Sequence, residues 1–280
     1  MLMHVHYASV LALTLIASLA LLSASNAMYL QITEPIQATL HQNSSIYIGK
    51  VGPGESFYIE ASATTTNSSG VPVNIGWDTL ETVSLPSGWS SQASPLYENP
   101  MKLKVTVAPY AANGTYAMKI KAINVQNYSK LGNLTITAIV NVTPDVFGLN
   151  VTPLVLRSGI GQPANLHVLI NNTGASDDPF IVSSSGLPAF NLSYEVIAIK
   201  GKPILTTYPV YENEPGTYQF TVSVVSATSP LVHRSFKAEL IVNSSVANDY
   251  SAVGRGLIVE PIIYEPAYAL MLLIDKLSKI

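Results

Sequence analysis

Apolar and polar residues alternate with a period of two through most of the chain between Met28 and Asn243, and no stretch there sustains a helical period. In TYAMKIKA, Tyr116, Met118 and Ile120 fall on one side and Ala117, Lys119 and Lys121 on the other. In TYQFTVSV, Tyr218, Phe220, Val222 and Val224 alternate in the same way with Gln219, Thr221 and Ser223. Such a segment is a half-buried strand. The strands are short and are punctuated by Gly, Pro, Asn and Ser. This predicts an all-β fold of antiparallel sandwiches, each sheet burying one face against the other.

The pattern occurs twice. Gly114-Thr115-Tyr116 and Gly216-Thr217-Tyr218 each open a long alternating strand. The next strand repeats at the same spacing: Leu134, Ile136, Ala138 and Val140 answer to Phe236, Ala238, Leu240 and Val242, and each strand closes at a sequon, Asn141 or Asn243. Upstream, GPGESFYIEASATTTNSSG from Gly52 resembles GIGQPANLHVLINNTGA from Gly159. Three features in one order, at a period of about 100 residues, predict a duplicated domain. The expected division is a first sandwich over 28–143 and a second over 144–246. The short, Pro-containing link at Asn141–Asp145 predicts limited flexing between them.

The two ends depart from this pattern. Val10–Leu22 is an apolar run too short for an ordinary membrane span. Ser25 and Ala27 fit the small positions of a signal-peptidase site, so 1–27 is read as a signal helix cleaved after Ala27. The weak n-region, with His4 and His6 only, leaves an uncleaved anchor as the alternative. Residues 247–280 form an apolar tail in which Pro266 opens a helix over 266–279. Glu260, Pro261, Glu265 and Pro266 interrupt the stretch and disfavour a span. A helix apolar all round calls for burial, and the tail is expected to mediate association. Shallow insertion at the membrane interface is the alternative.

Ten N-x-S/T sequons begin at Asn43, Asn67, Asn113, Asn127, Asn133, Asn141, Asn150, Asn171, Asn191 and Asn243. Chance would give about three. A glycan must point into water, so the excess predicts an exposed, exported surface made to carry them. There is no cysteine, and each domain must be held by its core and backbone hydrogen bonds alone. Glycosylated export without cysteine fits an archaeal surface protein better than a eukaryotic immunoglobulin domain. Hydrophobic residues make up 48% and charged residues 11%, with a net charge of -3 and no basic block. That argues against nucleic acid as a partner.

LPSGWS at Leu85–Ser90, followed by MKLKVTVAPYAANGTYAMKIKA at Met101–Ala122, resembles the NPCBM-associated family of immunoglobulin-like modules in prokaryotic surface proteins and glycosidases. Pro86, Gly88, Trp89, Val107, Pro109, Gly114, Thr115 and Tyr116 carry the likeness. The second unit keeps Gly216-Thr217-Tyr218 but has Leu187-Pro188-Ala189-Phe190 in place of Pro-x-Gly-Trp, and is similar to cell-adhesion-related sandwich modules of bacterial and archaeal exoproteins. Tyr116 and Tyr218 are read as tyrosine corners, with the ring filling the sandwich end and the hydroxyl bonding backbone. Trp89 is read as a plug after a turn, ahead of a sugar-stacking role.

No catalytic, cofactor or metal set is found. His41, His167 and His233 lack ligand spacing, and His167 is placed on an outer face. Asp177-Asp178 is read as a solvated turn. Glu212 and Glu214 are set beside it as further oxygens in an alternative calcium reading. No G-x-S-x-G elbow occurs. The expectation is a non-enzymatic glycosylated surface protein, an envelope, adhesion or assembly component whose partners are other envelope proteins or copies of itself. A carbohydrate-binding accessory module serving a separate enzyme is the alternative, and a secreted hydrolase ranks last.

Overall fold

The computed structural model describes residues 29–66, 72–125 and 132–243. The expected signal helix over 1–27, the expected tail helix over 266–279, Asn67 and Asn127 lie outside the described residues. All regular structure among the described residues is β.

Eleven strands precede Thr143: β1 (Leu30–Glu34), β2 (Ala38–Leu40), β3 (Ser45–Val51), β4 (Ser56–Ala61), β5 (Thr64–Thr66), β6 (Pro72–Gly76), β7 (Thr79–Ser84), β8 (Ser90–Gln92), β9 (Met101–Thr106), β10 (Gly114–Ile123) and β11 (Asn133–Val142). Eight follow: β12 (Phe147–Thr152), β13 (Val155–Ser158), β14 (Ala164–Asn172), β15 (Asp178–Ser185), β16 (Ser193–Ala198), β17 (Pro203–Val210), β18 (Gly216–Ser226) and β19 (His233–Val242).

In the first unit, a sheet ordered β2-β1-β4-β9-β8 faces one ordered β3-β11-β10-β7, and β5-β6 is a separate hairpin. In the second, β12-β14-β17 faces β13-β19-β18-β15-β16. Strands β1, β4, β9 and β8 hold the A, B, E and D places of an immunoglobulin sandwich; β11, β10 and β7 hold G, F and C. In the second unit β12, β14 and β17 are A, B and E, while β19, β18, β15 and β16 are G, F, C and C′. The two sheets of each unit bury one contiguous core.

Each sandwich also contains a parallel pair, β3 with β11 and β13 with β19. Period-two patterning predicts strands but not their direction, so this departure from a purely antiparallel reading has no signal in it. In the second unit the chain crosses just after Pro153, which lacks an N–H for the ladder, from β12 in one sheet to β13 beside β19 in the other. In the first unit the chain turns back after Pro35 to add β2 to the edge of the same sheet, and crosses only with β3, beside β11.

The register repeats between units. Gly114 pairs with Val142 and Tyr116 with Val140; Gly216 pairs with Val242 and Tyr218 with Leu240. Met118 and Phe220, two residues past each Tyr, are buried where antibody domains carry the second disulfide cysteine. Apolar side chains fill that position here.

Candidate surface and interdomain sites

Of the eight described sequon asparagines, seven are exposed and Asn141 is half-buried. Asn43 lies in the turn between β2 and β3 with a positive φ of 64°, a conformation Asn tolerates. Its N–H donates to the Thr135 carbonyl at 2.8 Å, which sets it beside Asn133 at the start of β11. Asn113 is in the turn before β10, Asn191 in the loop before β16, and Asn243 just past β19. Asn150 and Asn171 project from the outer face of β12 and β14. The exposed Leu169 lies opposite Asn150 and also pairs with the exposed Leu205, so a glycan at Asn150 would overlie an apolar strip. His167 is exposed on that same face.

The two corner tyrosines behave alike. Tyr116 Oη donates to the Ala112 carbonyl at 2.9 Å, and Tyr218 Oη donates to the Glu214 carbonyl at 3.1 Å, four residues upstream in each case. Trp89 is buried and lies 5.5 Å from the Tyr116 ring. Its indole fills the sandwich end and offers no open face to a sugar. The exposed tyrosines of the first unit do not line up either. Tyr47 is on β3, Tyr58 is on β4 in the facing sheet, and Tyr97 and Tyr110 are in loops at opposite ends.

The acidic residues set beside one another in the calcium reading are separated. Glu212 is buried at the far end of the second sandwich, where its carboxylate accepts from the Ala189 N–H at 3.0 Å. Asp177 is exposed and caps the Lys200 N–H at 2.8 Å. Asp178 lies at the opposite end from Glu212 and corrects the solvated-turn reading, for it is buried, only 6% exposed. It is the first residue of β15, and its parity with Phe180 and Val182 turns it inward. That alternation is the signal in the sequence that would have found it. Among the described residues no three His, Cys, Asp or Glu side chains gather to hold a metal ion.

Asp178 sits at the seam between the sandwiches. The Gly52–Glu55 turn of the first unit abuts Ala175–Asp178 and the Ser226–Val232 loop of the second. The Ala175 N–H donates to the Lys50 carbonyl at 2.8 Å and Ser176 Oγ to the Ser56 carbonyl at 3.0 Å. The link is tied as well: the Thr143 N–H reaches the Val51 carbonyl at 3.0 Å, and Asp145 pairs with both Lys50 and Arg234. Lys200 bridges to Glu34 at 2.6 Å. Ala175 is part of the first unit's core.

Within the seam, Glu55 is 5% exposed. Its Oε2 accepts from the Gly52 N–H at 2.7 Å; Asp178 Oδ1 accepts from Ser226 Oγ at 3.0 Å and Thr228 Oγ1 at 3.3 Å. Burial, and then the Asp178 charge, push Glu55 up to about 8. Burial also raises Asp178 above the usual carboxylate range, against the lowering effect of its hydroxyl donors.

No protein-family model and no curated protein matches the sequence. Several solved structures do. Domains 4 and 5 of the S-layer protein SbsC match 79% of this chain and 100% of theirs, at 14% identity and a TM-score of 0.34. A chimeric titin Z1Z2 covers 78% of this chain and 99% of its own at 15% identity and 0.32. The D00-D0 domain of intimin covers 77% and 100% at 13% identity and 0.26. At these values the likenesses carry no argument; the fold rests on the strand pairings themselves.

Proposed function

We propose that this chain is a non-enzymatic, exported surface glycoprotein, an envelope, adhesion or assembly component in which two immunoglobulin-like sandwiches form a tied spacer. The observation that carries this reading is the placement of the sequons. Seven described sequon asparagines stand exposed over both units, while Trp89, the residue best suited to stack a sugar, is buried and packs against the half-buried Tyr116. Scattered exposed tyrosines do not favour the carbohydrate-binding alternative. The NPCBM-associated resemblance of the first unit fits a module of this kind. We place cleavage after Ala27 and association, with envelope proteins or with copies of the same chain, in the tail beyond 247.

Mass spectrometry of the native protein from its envelope fraction tests this. Expected are a mature N-terminus at Met28, glycans on most of Asn43, Asn113, Asn133, Asn150, Asn171, Asn191 and Asn243, and co-purifying envelope proteins. Unmodified asparagines throughout, or hydrolysis of an ester, peptide or glycoside panel, would overturn it. Deleting residues from Gly256 onward should release the protein from assemblies and leave both sandwiches folded. Unfolding of the truncated chain would make the tail part of a core instead.

A further inference from the structure

The seam holds an unusual concentration of buried oxygen without a donor. Glu55 Oε1, Asp178 Oδ2 and Ser229 Oγ have no hydrogen-bond partner, and the three residues are 5%, 6% and 0% exposed. Two carboxylates cannot hydrogen-bond each other, since each only accepts. A proton on one carboxyl would supply the missing donor, and the buried Asp178 charge acts on Glu55 across the seam. A shared proton thus gives the two carboxyls a donor between them. The doubly ionised form leaves two like charges facing each other out of water.

The cations nearby are spent at the rim. Lys50 and Arg234 hold Asp145, Lys200 holds Glu34 and the Pro35 carbonyl, and Lys202 is exposed. His233 Nδ1 lies 3.0 Å from the Pro230 carbonyl, and Asp177 caps Lys200. The packing leaves no slack, because a Cβ on Gly52 would lie 2.4 Å from Val232 Cγ2 and 2.6 Å from the Glu55 carboxyl carbon. The matching turn of the second unit, Gly159-Ile160-Gly161-Gln162, carries a neutral amide in place of Glu55.

We propose that Glu55 and Asp178 hold one proton between them across the seam and that its loss opens the joint, so the sandwiches are locked end to end in acidic and neutral media and loosened in alkaline media. The pH at which Glu55 titrates, about 8, places the transition within an accessible range.

Hydrogen exchange on the full chain reads the joint at the Ala175 amide, which bonds the Lys50 carbonyl across the seam. Corrected for intrinsic exchange, its protection should fall about tenfold or more between about pH 6 and about pH 9.5. In Glu55→Gln, whose amide keeps a donor for Asp178, protection should stay level. A level profile in the unmutated chain, or the same fall in Glu55→Gln, would overturn the proposal. Carbon NMR titration of the unmutated protein adds a test that needs no variant. At least one carboxyl should titrate above about pH 7, and all of them titrating in the usual carboxylate range would refute it. Calcium chloride that restores protection at alkaline pH would assign the oxygens to a cation and also refute it.

Discussion

Tyr116 and Tyr218 show how one side chain can fix a sandwich end twice in one chain. The ring closes the end of the core and the hydroxyl ties the preceding turn to the strand that follows it. Tyr116 is half-buried, so truncation removes less than a fully buried aromatic would. Tyr116→Phe keeps the ring and loses only the bond to Ala112, and should cost about 0.5–1.5 kcal/mol in urea unfolding. A loss above that range would mean the hydroxyl holds more than the turn. Gly52 is constrained from the other direction. Gly52→Ala forces a methyl into Val232 and Glu55, and should cost about 1–3 kcal/mol through overpacking of the seam. Gly201→Ala is a control in which the new Cβ meets nothing within 4 Å, although its φ of 69° adds backbone strain.

At the scale of elements, alternation decides the energetics. In the β15–β16 hairpin Phe180 turns inward, 0% exposed and 4.5 Å from the Phe147 ring, whereas Ile197 on the neighbouring strand is 61% exposed. Phe180→Ala should therefore cost about 3–5 kcal/mol, and Ile197→Ala should stay within about 0.5 kcal/mol. Calorimetry on the two variants checks the pair. Equal losses would mean that Ile197 is covered in solution. This parity is what made the long strands legible in sequence, since β10, β11, β18 and β19 each carry four or more alternating positions. The parallel pairs were not legible, because pairing direction leaves no trace in one strand's pattern. The seam was missed for a related reason. Asp178 follows a polar turn and looks solvated from its neighbours, and only its parity with Phe180 and Val182 reveals the inward face. Glu55 ends a Gly-Pro-Gly turn, and its burial comes from the second sandwich, more than a hundred residues away in the chain.

At the scale of the whole molecule, the two sandwiches are joined by a buried acidic pair whose stability should follow pH in the direction opposite to that of ordinary paired carboxylates. Glu55 rises from 4.5 to about 8 on folding, and Asp178 shifts the same way. Between those limits the folded chain binds more protons than the unfolded chain, so the slope of unfolding free energy against pH is negative. The contribution is fully favourable below about pH 4.5, declines as pH rises through the interval, and levels off above about pH 8. Surface pairs such as Lys102 with Glu60 are solvent-screened and add little to this profile. Scanning calorimetry from about pH 5 to about pH 9 should therefore show the melting temperature of the unmutated chain falling, by roughly 2–4 °C for each kcal/mol withdrawn. Glu55→Gln should hold its melting temperature across the same interval. If instead the unmutated chain gains stability toward pH 8, the carboxyls are ionised in the folded state and some other group neutralises the seam.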